Sequence, residues 1–144
     1  MMMSVEPIQD SPSKGHVLVV DDDNDIRALL RDFLEYEGYA IHEARDGQVA
    51  LDWLRQTTER WVVLTDHFMP RLNGPGLMTA VLADRQLYAR HAFIYMTAAD
   101  QAIEPNLQAL LKTLHAPILR KPFSFDICLE TVAPAAERLA AATA

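Results

Sequence analysis

The chain has 144 residues, half of them hydrophobic, and a formal net charge of −7, which indicates one folded domain rather than a disordered chain. It contains no apolar run near ~18 residues, so a transmembrane helix is excluded, and no basic face for nucleic acid is evident. The single Cys128 excludes an internal disulfide and a cysteine-cluster metal site. Met1–Lys14 lacks the pattern of a secretory signal, so we expect a cytoplasmic protein.

The first elements along the chain are a leader, a strand and a helix. Residues 1–15 show no apolar period and contain two prolines, so we predict a mobile leader. His16–Val20 is short, apolar and rich in β-branched residues, which is typical of a strand buried on both faces. Asp23 or Asn24 can cap the helix that follows, and Gly38 suits the position just past its end.

The rest of the chain repeats this alternation four times. The remaining predicted strands cover residues 39–44, 61–65, 92–96 and 118–120. The remaining predicted helices are indicated by apolar side chains at helical spacing within residues 46–55, 77–82, 107–114 and 125–132. We expect Pro134 to break or kink the last helix. Residues 134–144 are then an alanine-rich C-terminal tail, either outside the helix or as its loosely held continuation.

This alternation predicts an α/β fold, a (βα)5 doubly wound parallel sheet of five strands with helices on both faces. Ligands of such sheets bind beyond the carboxyl ends of the strands. Polar side chains follow four of the predicted strands: Asp21 and Asp22 the first, Asp66 the third, Thr97 the fourth and Lys121 the fifth. We therefore expect three carboxylates, a hydroxyl and an ammonium to meet at one edge of the sheet.

The charges of this cluster predict its chemistry. Two carboxylates about 4 Å apart repel each other by ~4 kcal/mol at an effective dielectric constant of about 20, so one of them is protonated or a cation lies between them. Mg²⁺ suits oxygen ligands, and with Mg²⁺ and Lys121 the cluster becomes neutral. It can then receive an anionic phosphoryl group, and a carboxylate can act as the nucleophile that forms an aspartyl phosphate.

Four motifs follow the strand ends in order: Val-Val-Asp21-Asp22-Asp23, Asp66-His-Phe-Met-Pro70, Thr97-Ala98 and Lys121-Pro122-Phe123. Together they resemble the receiver domain of bacterial two-component response regulators. The resemblance covers about residues 16–133, so it implies the flavodoxin-like receiver fold for nearly the whole chain. It is closest to the stand-alone, chemotaxis-regulator-like type, which has no attached DNA-binding output domain.

The resemblance implies how the phosphoryl group is accepted. Asp66 is expected to be the phosphoacceptor, with a histidine kinase or a histidine phosphotransfer protein as donor. Asp21 and Asp22 are expected to hold Mg²⁺ together with Asp66 and the backbone carbonyl of Phe68.

The resemblance also implies what stabilises the phosphoryl group and where the signal goes. Thr97 is expected to hydrogen-bond the group and Lys121 to pair with it, and the bond from Lys121 to Pro122 corresponds to the family's cis-peptide position. The domain would then signal by binding a downstream protein, without direct contact with nucleic acid or membrane. It would catalyse only its own phosphorylation and dephosphorylation.

Two other functions fit parts of the pattern. A pseudo-receiver would bind partners without being phosphorylated, and a phosphohydrolase of the haloacid dehalogenase type would turn over an aspartyl phosphate. That enzyme family places a second aspartate where this chain has Phe68. His67 is either a plain loop residue or one that tunes the lifetime of the phosphoryl group. Ile118 replaces an aromatic residue common in receivers. We therefore expect phosphorylation to shift the Thr97–Asp100 loop and the helix after it more than the Ile118 side chain.

Overall fold

The short apolar runs of the sequence form one parallel sheet, which the computed structural model describes together with its helices over residues 13–142. The strands are β1 (His16–Val20), β2 (Ala40–Ala44), β3 (Trp61–Asp66), β4 (Ala92–Ala98) and β5 (Ile118–Lys121). The helices are α1 (Asn24–Tyr36), α2 (Gly47–Gln56), α3 (Gly74–Leu82), α4 (Arg85–Arg90), α5 (Pro105–Leu114) and α6 (Phe125–Ala142). The strand order is β2-β1-β3-β4-β5 and all neighbours are parallel, so the predicted fold class is confirmed.

Side chains of the central strands alternate between two apolar layers, because neighbouring residues of a strand point to opposite faces. One layer, with Leu18 and Val63, packs against α2, α3 and α5. The other, with Val17 and Ile94, packs against α1 and α6. Each such fully buried side chain contributes about 1.5–3 kcal/mol to folding, which explains why these strands carry almost no polar residues before their carboxyl ends.

The ends of α1 follow the local signals of the sequence. Asp23 is the N-cap, and its side chain accepts hydrogen bonds from the N–H groups of Asp25 and Ile26. Gly38 takes a φ of +106°, just past the helix end, a conformation that side chains with a Cβ rarely adopt. This end lets the chain turn directly into β2.

The helix α4 was not predicted from the sequence. Its N-cap is Asp84, whose side chain accepts hydrogen bonds from the N–H groups of Gln86 and Leu87. Leu87 is buried in the layer that α3 also covers. A helix of six residues is too short to show a clear apolar period, so the capping aspartate was the only signal available.

Of the two effects expected of Pro134, a break does not occur, since α6 continues past it to Ala142; a kink stays a prediction. Proline removes one helical hydrogen bond, but Ala135 and Ala136 directly after it are buried against the sheet layer that contains Val17. This packing offsets the lost bond, so the first part of the predicted tail belongs to the folded core.

The predicted leader is only partly covered, because residues 1–12 lie outside the described range. Its last residues are bonded to the start of β2 and the turn before it: the N–H of Lys14 donates to the carbonyl of Gly38, and the N–H of Ala40 donates to the carbonyl of Gly15. Among the described residues, no helix has both the length and the apolar character needed to cross a bilayer.

Candidate functional site

The strand ends bring the polar residues of the motifs to one edge of the sheet. In the register, Asp66 lies beside Met96, and Ala98 lies beside Lys121. Thr97 therefore stands between the ends of β3 and β5. Asp21 follows directly after β1, and its N–H donates to the carbonyl of Ala44 at the end of β2.

Lys121 connects the ends of three strands. Its Nζ lies 3.1 Å from Oδ2 of Asp21 and 3.1 Å from Oδ1 of Asp66. Burial alone would lower the pKa of the Lys121 ammonium, but the charges of the two carboxylates outweigh it, so that pKa lies above its ordinary value. The lysine thus remains a cation at the centre of the cluster.

Asp21 is the most deeply buried acid of the cluster, with 1% of its surface exposed. Burial raises the pKa of its carboxyl, and the charge of Asp66 adds to this, while the N–H of Asp23 and the Lys121 ammonium oppose it. The Asp23 N–H donates to Oδ1 of Asp21 at 2.9 Å. The negative charge of the site therefore exceeds what the Lys121 ammonium alone can neutralise.

The chemistry of the donor atoms fits a divalent cation. One carboxylate oxygen from each of Asp21, Asp22 and Asp66 lies within 4.8 Å of the others. Hard oxygen ligands of this kind, with an open side toward solvent, suit Mg²⁺. That the backbone carbonyl of Phe68 is a further ligand stays a prediction. The Phe68 side chain is exposed.

Thr97 offers a buried hydroxyl to the site. Its side chain is almost fully buried, and its Oγ1 makes no hydrogen bond of good geometry with the residues of the described range. Buried hydroxyls are normally paired. An oxyanion next to Asp66 would give this hydroxyl an acceptor.

The loop after Asp66 is anchored to α3 through Gly74. The N–H of Gly74 donates to the carbonyl of His67 at 2.9 Å. A Cβ at Gly74 would lie 2.3 Å from the carbonyl oxygen of Asp66, so only glycine allows this approach. The peptide bond between Lys121 and Pro122 is cis, as the resemblance implied.

Two features near the cluster were missed in the sequence. Tyr95 is buried in β4, and its hydroxyl is joined to Nδ1 of His67 by a hydrogen bond. The guanidinium of Arg120 donates hydrogen bonds to the carbonyls of Ala98 and Gln101. These bonds connect the loop after β4 to β5. Neither contact has a local sequence signal, because each joins residues that lie far apart in the sequence.

Burial sets the protonation state of the Tyr95–His67 pair. It raises the pKa of the Tyr95 phenol and lowers the pKa of the His67 imidazole. Both rings are therefore mainly neutral near pH 7.

Comparison with known proteins agrees with this arrangement. Residues 17–133 match the family described as the response regulator receiver domain. Response regulator SaeR of Staphylococcus epidermidis is 34% identical over 110 residues, which cover 76% of this chain and 44% of SaeR. Sensor kinase CckA of Brucella abortus is 32% identical over 130 residues, which cover 89% of this chain and 13% of CckA. The chain thus spans less than half the length of either relative.

A solved structure shows the same fold. The receiver domain of the Francisella response regulator 1452 superposes with a TM-score of 0.73 at 29% identity, covering 86% of this chain and 98% of that one. Together with the family match over most of the sequence, this places the protein in a known class of signalling phosphoacceptors. The chain belongs to the response regulator receiver domain family of two-component signalling.

Proposed function

We propose that Asp66 accepts a phosphoryl group, with Mg²⁺ bound by Asp21, Asp22, Asp66 and the Phe68 carbonyl, from a histidine kinase or a histidine phosphotransfer protein. The observation that supports this most strongly is the position of Lys121, whose ammonium touches both Asp21 and Asp66. A carboxylate with a fixed cation and two further acids beside it combines a nucleophile with the means to neutralise an incoming anion.

The transfer is a displacement at phosphorus. A carboxylate oxygen of Asp66 forms the new P–O bond while the P–N bond to the donor imidazole breaks, and that nitrogen keeps the electron pair. Bound Mg²⁺ would neutralise charge on the phosphoryl oxygens. Lys121 can then pair with one phosphoryl oxygen, and the unpartnered Thr97 hydroxyl can donate to another.

The phosphorylated domain then signals by binding a downstream protein. The donor and the target are both proteins of the cytoplasm in this proposal, and no direct binding to nucleic acid or membrane is involved. Apart from its own phosphorylation and dephosphorylation, the domain catalyses no reaction. That it acts without an attached output domain stays a prediction.

Intact-mass measurement after incubation with acetyl phosphate and magnesium chloride tests the proposal. The unchanged protein should gain the mass of one phosphoryl group, and Asp66→Asn should gain none. Asp52→Asn, an exposed acid of α2 with the same change of charge, should be labelled like the unchanged protein. Removing Mg²⁺ with a chelator should abolish labelling.

The same experiment separates the alternatives. No labelling of the unchanged protein would favour a pseudo-receiver. Rapid release of inorganic phosphate over many turnovers would favour a phosphohydrolase. Equal labelling of Asp66→Asn would overturn the assignment of the phosphoacceptor.

A further inference from the structure

The Tyr95 side chain links β4 to the segment that follows Asp66. The residue is fully buried, and its hydroxyl is joined by a hydrogen bond to Nδ1 of His67. The two rings are also in contact, with centroids 5.6 Å apart. A buried phenol hydroxyl needs such a partner, so this bond fixes the imidazole ring relative to β4.

His67 is held from a second direction through its backbone. Its carbonyl accepts the N–H of Gly74 at the start of α3. In sequence it stands between Asp66, which belongs to the carboxylate cluster, and Phe68, whose carbonyl completes the proposed metal site. With its ring bound to β4 and its carbonyl bound to α3, His67 restricts the movement of both neighbours.

The neighbours of Tyr95 determine which group its hydroxyl can bond. In the register of β4 and β5, Tyr95 lies beside Ile118, an aliphatic side chain without a hydrogen-bonding group. The Thr97 hydroxyl is a second possible partner and lowers the pKa of the Tyr95 phenol, but it makes no hydrogen bond of good geometry with the residues that the structure describes. The bond to His67 is therefore the contact through which the Tyr95 hydroxyl acts.

We propose that Tyr95 is a positioning residue for the metal site, because its hydroxyl, acting through His67, holds Asp66 and the Phe68 carbonyl at the spacing that Mg²⁺ requires. This inference rests on the proposed function. Mg²⁺ demands near-ideal octahedral geometry, so a small displacement of the segment weakens binding. Loss of one ordinary hydrogen bond is expected to lower the Mg²⁺ affinity about fivefold.

Two measurements on unphosphorylated protein test this. The first is a titration with magnesium chloride, followed by the backbone amide resonances of residues 66–68. Tyr95→Phe keeps the buried ring and should bind Mg²⁺ about fivefold more weakly. Tyr88→Phe removes a hydroxyl from α4, which leads into the opposite end of β4, and should bind like the unchanged protein. The second is the Nδ1 resonance of His67 without metal, which should move in Tyr95→Phe only.

Variants of His67 show whether Tyr95 acts through this residue. His67→Ala should weaken Mg²⁺ binding by the same factor as Tyr95→Phe. Adding Tyr95→Phe to His67→Ala should have no further effect, because the hydroxyl then has no ring to hold. His67→Asn places an amide group near the position of Nδ1 and should recover most of the affinity.

The outcomes separate this inference from the proposed function. If Nδ1 of His67 moves in Tyr95→Phe but the Mg²⁺ affinity does not change, the positioning role is overturned and the proposed function stands. Additive effects of Tyr95→Phe and His67→Ala would also overturn it. If the unchanged protein binds no Mg²⁺, the proposed metal site itself is wrong and the inference falls with it.

Discussion

The Lys121 ammonium lies 3.1 Å from the carboxylate of Asp21, although the two residues are 100 positions apart in the sequence. The contact joins the carboxyl ends of β1 and β5, the first and last strands in the sequence. Since Asp21 is buried and Lys121 is about a quarter exposed, removing the lysine leaves an unbalanced charge in the interior.

We therefore expect Lys121→Gln to lower the free energy of unfolding by about 1–2 kcal/mol in metal-free buffer, a value reduced for the partial exposure of the lysine. Lys112→Gln on α5 makes the same change of charge on an exposed residue and should have little effect. Added Mg²⁺ should reduce the loss of stability in Lys121→Gln, because it replaces the missing cation. Urea unfolding with and without magnesium chloride checks this, and equal stability of both variants would contradict it.

Asp22 should destabilise the metal-free fold. Its carboxylate belongs to the acidic cluster, but it is exposed and makes no hydrogen bond within the described part of the chain. Replacing it with Asn removes repulsion without removing a bond, so we expect the melting temperature without metal to rise by roughly 1–3 °C. The same variant should bind Mg²⁺ more weakly and gain less stability from it. A lower melting temperature without metal would refute this account.

Two buried threonines on neighbouring strands should respond in opposite ways to loss of the hydroxyl. Within residues 13–142 the Thr97 hydroxyl makes no hydrogen bond of good geometry, so Thr97→Val should raise the stability of the unphosphorylated protein by about 1 kcal/mol. The Thr65 hydroxyl donates to the carbonyl of Asp66 at 3.0 Å, so Thr65→Val should lower stability by a similar amount, about 1 kcal/mol. Differential scanning calorimetry compares them, and a destabilised Thr97→Val would show that its hydroxyl is already satisfied.

The response to phosphorylation should be seen in the loop after β4 rather than at Ile118. Ile118 is 40% exposed and has no hydroxyl, whereas the Thr97–Asp100 loop is tied to β5 by Arg120. A phosphoryl group that engages Thr97 pulls directly on this loop. NMR with and without beryllofluoride should show large amide shifts in the loop and little rotamer exchange at Ile118. In Asp66→Asn, beryllofluoride should not shift the amide resonances of the loop. The reverse pattern would contradict the prediction.

His91 should make the protein less stable in mild acid. Burial lowers the pKa of its imidazole to about 4, and nearby Arg90 and Arg60 add to the effect. Its Nδ1 accepts the N–H of Trp61 at 3.1 Å, so protonation there would break this bond. Between the unfolded pKa of about 6.5 and the folded value, the unfolded chain binds the extra proton, and stability falls as pH falls.

Because of His91, the free energy of unfolding should fall by about 2 kcal/mol between about pH 7 and pH 5. His91→Asn keeps an acceptor near the position of Nδ1 and cannot be protonated there. The difference in unfolding free energy between the two proteins should therefore shrink or reverse as the pH falls. A constant difference across this range would show that His91 does not bind the proton on unfolding.

The sequence was most informative at the carboxyl ends of the strands. Apolar runs that stop at a charged residue predicted β1, β3 and β5, and the parallel arrangement then required Asp21, Asp66 and Lys121 to lie at the same edge. Here each residue's place follows from a local pattern plus one general rule of topology, which is why the convergence could be predicted without coordinates.

The contacts of side chains between strands could not be predicted in this way. Tyr95 looks like one more core residue in an apolar run, and its bond to His67 depends on the register of β3 and β4. The continuation of α6 beyond Pro134 depends in the same way on whether Ala135 and Ala136 find a surface to pack against. Such questions are decided by distant residues, and no local pattern answers them.

The absence of a side chain at Gly74 has a mechanical meaning for the signal. Because the carbonyl of Asp66 rests directly on the first turn of α3, with only backbone atoms at the junction, there is no flexible side chain to absorb a shift. Asp66 and α3 would therefore move together as one rigid unit. A partner seated on α3 could then sense the chemical state of Asp66 as a tilt of the helix, without touching the cluster.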